Sequence, residues 1–195
     1  MIKLFALSLV SSLLVACSNS DASGTNSFIK LDSSGEVLSS SAKTWTCLKD
    51  KESGLIWENK TTDGGLHDMS WEYMNTSNTN GANPKDTNDS GKCLASNNKA
   101  DGVFCDTKQY VAEVNTKSLC GYSNWRMPTK YELNETFSAG KDTSFFLPGT
   151  ENLYYWSSTR NESAPSNAWF VNPGSKTTSH GERHYSKSIR LVHKG

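Results

Sequence analysis

The chain carries no surplus of charge: Lys and Arg total 20 and Asp and Glu total 20 across 195 residues. Neutral overall balance speaks against a general nucleic-acid binder, because such proteins gather positive potential against phosphates. There is also no apolar run of spanning length. The longest, "LFALSLVSSLLVA" at 4–16, has thirteen residues, where a membrane-crossing helix needs about 20. No Cys-x-x-Cys occurs, which removes the commonest zinc spacing. No cysteine follows Cys120, so the C-terminal part offers no reactive cysteine pair.

What is present begins with an export signal. Lys3 precedes the apolar run, and the run ends in "LVAC". This pattern reads as a lipoprotein signal peptide over residues 1–16, after which Cys17 becomes the acylated N-terminus. A plain secretory signal cleaved nearby is the alternative. Several acyl chains on one residue anchor stably, since each buried CH₂ contributes roughly 0.8 kcal/mol. Ser18, in place of an aspartate, leans towards the outer membrane. Residues 17–27 then form a Ser, Asn and Gly-rich tether, and 28–195 form one domain. Loss of residues 1–16 removes one lysine, leaving 19 basic and 20 acidic side chains. These are unevenly spread: residues 50–90 hold eight acids and three lysines, whereas 174–195 hold five Lys or Arg and one Glu.

Four cysteines remain, Cys47, Cys93, Cys105 and Cys120. An even number in an exported chain reads as two disulfides, with three possible pairings. Cys93 and Cys105 flank one polar loop and pair most naturally, which leaves Cys47 with Cys120.

The element pattern is strands, two helices, then strands, hence α+β. "WTCLKDKESGLIWENK" reads as a hairpin about Ser53-Gly54, with Trp45, Cys47, Leu55 and Trp57 inward. "DGGLHDMSWEYMN" reads as a turn followed by at most a short helix, and residues 75–102 as a long polar loop. A first helix starts at Asp106 with Gln109 three residues on and stops at Gly121; a second has Thr129 as cap and Glu132 as reciprocal partner. "LYYWSST", "NAWFVN" and "SIRLVH" read as strands, with a second polar loop spanning 159–187.

The dense stretch "LCGYSNWRMPTKYEL" (119–133) joins the two helices. It offers one arginine and no nucleophile beside a base, so it reads as a staple rather than a reaction centre. Together with "SGLIWE" (53–58), "YYWSSTRNESAPSNAWFV" (154–171) and "IRLV" (189–192), it resembles the Lcl C-terminal domain family, named for a Legionella collagen-like adhesin. The resemblance spans roughly 45–193. It implies a C-type-lectin-like fold, with two helices, a mixed but mainly antiparallel sheet whose first and last strands pair, and long loops at one end. In that fold a Cys47–Cys120 link locks the strand-to-helix junction. The resemblance supplies no catalytic set, and the adhesin binds glycans.

These readings lead to a non-catalytic, lipid-anchored envelope module that binds a glycan or a protein, with no cofactor. A structural envelope component and an uncharacterised hydrolase are the alternatives. The candidate ligand-binding residues are the basic group Lys176, Arg183, His184 and Lys187, together with Trp71 and Tyr73 beside the acidic loop. Calcium is the one metal to consider. "DTNDSG" (86–91) places Asp86, Asn88, Ser90 and Gly91 as an EF-hand loop begins, but its twelfth position is Asn97 instead of the required glutamate. His180 and His184 stand four apart, yet Gly181 and the polar surroundings fit a hairpin tip better than a helical metal pair.

Overall fold

The computed structural model describes residues 27–77, 106–137 and 141–195. Cys17, Cys93, Cys105 and the calcium-like stretch 86–97 lie outside the described residues. Among the described residues the architecture is α+β, with two antiparallel sheets and two α-helices. The larger sheet comprises β1 (Phe28–Leu31), β2 (Cys47–Asp50), β3 (Leu55–Glu58) and β7 (Val192–Lys194), in the order β1-β2-β3-β7. The smaller comprises β4 (Tyr155–Arg160), β5 (Asn167–Asn172) and β6 (Thr177–Glu182) in sequence order. The helices are α1 (Thr107–Thr116) and α2 (Lys130–Thr136).

The β2–β3 hairpin turns where expected. The Asp50 carboxylate accepts hydrogen bonds from Glu52 N (3.0 Å) and Ser53 Oγ (2.8 Å), and Gly54 takes the positive φ (73°). Register places Cys47 opposite Glu58 and Leu48 opposite Trp57. Successive residues therefore point to opposite faces, and both faces are covered. Leu48, Trp57, Phe28 and Val192 join Leu133 and Phe137 of the α2 region in one core cluster. Leu31, Cys47 and Ile56 join Tyr110 and Val114 of α1, Trp125 and Met127 in the other.

The Cys47–Cys120 disulfide is formed, with Cα atoms 6.5 Å apart and both cysteines buried. Next to it, two glycines allow backbone to meet backbone. A Cβ on Gly121 (φ 71°) would stand 2.6 Å from Ser34 O, and one on Gly35 (φ 87°) 2.5 Å from Cys120 O. Both helix starts are capped as read. Asp106 accepts from Gln109 N at 2.9 Å, and Thr129 and Glu132 form a reciprocal capping box. Trp125 and Met127 point inward on either side of exposed Arg126, and Arg126 pairs with both oxygens of Glu132 at 2.6 and 2.9 Å. The dense stretch is thus a junction, with its arginine satisfied by a carboxylate.

Several expectations differ from the structure. β1 precedes the hairpin and forms the outer edge of the larger sheet. β7 pairs with β3, not with the first strand, and its other side meets Arg126 through two backbone hydrogen bonds of 2.9 and 3.0 Å. α1 ends at Thr116, and Ser118 (φ 49°) and Cys120 (φ 51°) turn the chain left-handed before Gly121 is reached. Residues 63–75 form turns and isolated bridges without a helix. The stretch 159–187 is largely the β5–β6 hairpin, so His180 lies on a strand and not at a tip.

Candidate functional site

Sheet register builds an open hollow on one face of the smaller sheet. Phe170 of β5 lies opposite Ser179 of β6, and Asn172 opposite Thr177. Alternation then puts Phe170, Ser179 and Thr177 on one face. Tyr154, just before β4, stands edge-on to Phe170 with ring centroids 5.6 Å apart. Lys187 completes the hollow, which has a volume of about 270 Å³. Its ammonium lies 4.2 Å from the Phe170 centroid, 5.2 Å from Trp156 and 5.6 Å from Tyr154.

The position of Lys187 is set by its backbone. Tyr73 N donates to Lys187 O (2.9 Å) and Lys187 N to Tyr73 O (3.2 Å), while Trp156 Nε1 also donates to Tyr73 O (2.7 Å). The ammonium makes no salt bridge among the described residues. Burial lowers its pKa, and Glu72 acts in the opposite direction. Glu72 is itself raised by burial, against the pull of Lys187. The result is an aromatic floor, two hydroxyls and a cation with free donors: a surface able to hold a polar ring bearing an anion.

A second charged group is internal. Glu58 is fully buried, and its Oε1 accepts from Lys60 Nζ (2.9 Å), His67 Nδ1 (2.9 Å) and the Tyr110 hydroxyl. Its Oε2 accepts from Leu191 N (2.9 Å). Burial raises the carboxyl pKa, but the Lys60 charge and the bonds from His67 and Tyr110 outweigh it and hold Glu58 well below the usual range. Burial pushes the Tyr110 hydroxyl well up, with Glu58 adding to the shift. An ionised carboxylate with both oxygens engaged fastens β3 to the segment before β7.

The residues expected to bind are not brought together. Lys176 sits at the β5–β6 turn and Arg183 just beyond the other end of β6. Seven residue steps of extended chain separate them, about 23 Å. Arg183 is buried and donates to Pro165 O (3.1 Å), Asn75 Oδ1 (2.9 Å) and Ser77 O (2.6 Å), so it organises the chain instead of facing a ligand. His184 is exposed, with Nδ1 3.1 Å from Glu182 Oε2. Tyr73 is buried with its ring 4.8 Å from Tyr110, and half-buried Trp71 donates Nε1 to Gly65 O (2.7 Å). Of the six, only Lys187 reaches the hollow.

Tyr154, Phe170, Thr177 and Ser179 were missed. The signal for them was adjacency: of neighbouring Trp169 and Phe170 on a strand, only one can face the core on a given side. Among the described residues no group of three or more His, Cys, Asp or Glu side chains can hold a metal ion, and no helix is long and apolar enough to cross a membrane.

The described residues thus form an α+β domain stapled at a strand-to-helix junction by Cys47–Cys120. The chain belongs to the Lcl C-terminal domain family, whose model matches residues 46–193. No curated protein and no solved structure matches it.

Proposed function

We propose that this chain is a non-catalytic recognition module of the bacterial envelope, built on a C-type-lectin-like frame and anchored through acylated Cys17, with its domain at the outer membrane. Its ligand is an anionic glycan, held in the hollow of the smaller sheet. The observation that supports this reading is the grouping of Phe170, Tyr154 and Lys187 with the hydroxyls of Thr177 and Ser179. Aromatic faces stack on the C–H face of a sugar ring, hydroxyls meet its hydroxyls, and the ammonium meets a carboxylate or sulfate. The engagement of Glu58 on both oxygens supports a structural rather than catalytic role for that carboxylate.

The test is binding of the purified protein to an array of acidic and neutral glycans. Acidic glycans are retained, and salt weakens the retention because exposed charges are screened over about 10 Å at 0.1 M. Lys187→Ala abolishes the preference for acidic glycans, while its stability stays within about 1 kcal/mol of the wild type. Arg183 is unsuitable for this test, since its three hydrogen bonds make it a folding residue. Retention that ignores both salt and Lys187→Ala refutes the proposal.

A further inference from the structure

A second cleft, of about 270 Å³, lies between the chain leading into β2, the end of β3, and the 3₁₀ turn Thr143–Phe145 with the residues after it. Lys43, Trp45, Asn59, Phe145, Phe146 and Pro148 are among its walls, and none of its lining residues is acidic. Lys43 and Trp45 precede residue 46, where the family match begins. This cleft is therefore built in part by residues that lie before the family match.

Its aromatic walls are backed by cations. Lys30 Nζ lies 4.1 Å from the Trp45 ring centroid and 5.0 Å from that of Phe145. The Arg190 guanidinium lies 4.3 Å from the Phe146 centroid. Arg190 is fully buried; its Nη2 donates to the Tyr155 hydroxyl (3.5 Å), while among the described residues its Nε and Nη1 have no hydrogen-bond partner. Lys30 donates only to carbonyls, Ser40 O (2.9 Å) and Ala42 O (2.6 Å). Among the described residues none of Lys30, Lys43 and Arg190 has a carboxylate partner. Lys60 also lines the cleft, but Glu58 neutralises it at 2.9 Å. Lys43 thus lines an apolar-walled cleft, Lys30 and Arg190 stand against its aromatic rings, and among the described residues no carboxylate pairs with any of the three. Cation–π contact offsets part of that cost, but a buried guanidinium without an anion remains expensive. At the wall, Asn59 Oδ1 is buried and also lacks a partner among the described residues.

We propose that this cleft binds a small carboxylate with a flat apolar body. The uncompensated charge favours an anion. The walls of Trp45, Phe145, Phe146 and Pro148 favour an apolar ring over a bare inorganic ion. A doubly charged phosphate needs several reachable donors, whereas Lys43 alone among these cations stands on the exposed surface. The volume lies just under the roughly 300–1,000 Å³ of drug-sized pockets, which limits the ligand to a single ring or a short chain. This site is separate from the Lys187 hollow and does not depend on it.

Sodium benzoate is the probe, titrated into the ¹⁵N-labelled full-length protein and followed by amide and indole shifts. Benzamide, of the same shape without the charge, and inorganic phosphate are the comparisons. The Trp45 indole N–H and the amides of 43–45, 59–61 and 144–147 shift saturably with benzoate. Benzamide binds about five-fold more weakly, the loss expected from one charge contact in high dielectric. Lys43→Glu weakens benzoate by about three-fold or more, and phosphate gives no saturable shift in these residues. The proposal is overturned by the absence of a saturable shift up to about 50 mM benzoate, a concentration that would still reveal very weak binding. It is equally overturned if benzamide or phosphate matches benzoate, if Lys43→Glu leaves affinity unchanged, or if the shifts gather around Lys187 instead.

Discussion

Glu58→Gln isolates the contribution of the buried charge cluster. The wild-type carboxylate accepts from Lys60, His67, Tyr110 and Leu191 N, so both of its oxygens are engaged. Glutamine keeps the shape but has one acceptor oxygen and one NH₂. If the oxygen serves Lys60, the NH₂ faces the Leu191 N–H; if it serves Leu191, the NH₂ faces an ammonium. Either way a buried donor meets a donor, and the Lys60 charge is left without its counter-ion. Breaking a buried pair in this manner costs about 3–5 kcal/mol, a large share of the roughly 5–15 kcal/mol that holds a domain folded. Urea titration at pH 7 should show the midpoint falling with an unchanged slope. Adding Lys60→Met should recover most of the loss, because the stranded charge is then gone. The acid limb gives a second readout. Glu58 is held below its unfolded value of 4.5, so the folded state binds fewer protons than the unfolded state in that window. Its contribution is complete above pH 4.5 and is lost as the pH falls towards the folded pKa. The gap between wild type and Glu58→Gln must therefore narrow on acidification. A loss below about 1 kcal/mol at pH 7, or a gap that stays constant down to pH 3, refutes the reasoning.

Replacing Cys47 and Cys120 by serine opens a link across 73 residues, and chain entropy puts the cost at about 4 kcal/mol; an unchanged denaturation midpoint counts against it. Mass mapping of the non-reduced protein should show Cys93 joined to Cys105 as well, and free thiols there would remove the second disulfide. Cys17→Ser should release the protein from membranes after a high-salt wash, whereas retention of the variant, with no labelled fatty acid entering the wild type, refutes the anchor.

The helices were legible because their signals are local. Asp106 with Gln109, and Thr129 with Glu132, state where a helix begins within four residues of sequence. The hairpin at Ser53-Gly54 and the inward pair Trp125 and Met127 were readable for the same reason. β1 was not, since "FIKL" is four residues with a lysine on an inward position. That lysine is tolerated only because its ammonium reaches Ser40 O and Ala42 O, ten and twelve residues away. β6 was missed for the opposite cause. "TTSHGE" is polar because β6 is an edge strand with little of either face covered. The basic residues are not gathered in one place because sequence proximity ignores the extended strand between Lys176 and Arg183, and nothing near Arg183 announces that Asn75 and Ser77 will bond it. Phe170 and Tyr154 meet Lys187 only through register, which a single sequence does not state.

The arm before residue 46 ties these results to function. The family match begins at 46, yet β1 pairs along the full length of β2, and the turn at Ser34-Gly35 packs against the Cys120-Gly121 backbone. Without the arm, β2 would present an unpaired edge, Leu48 would lose Phe28 from its core cluster, and the staple would lose its backbone contact. β1 is therefore part of the folded domain. If Cys17 carries the anchor, eleven residue steps separate the lipid from Phe28, a reach of at most about 40 Å when fully extended. A module on so short a leash samples ligands at the membrane surface and not at a distance from the cell. If the anchor and the carboxylate site proposed above both hold, the arm before residue 46 serves both, since it carries the tether into β1 and supplies Lys43 and Trp45 to the cleft.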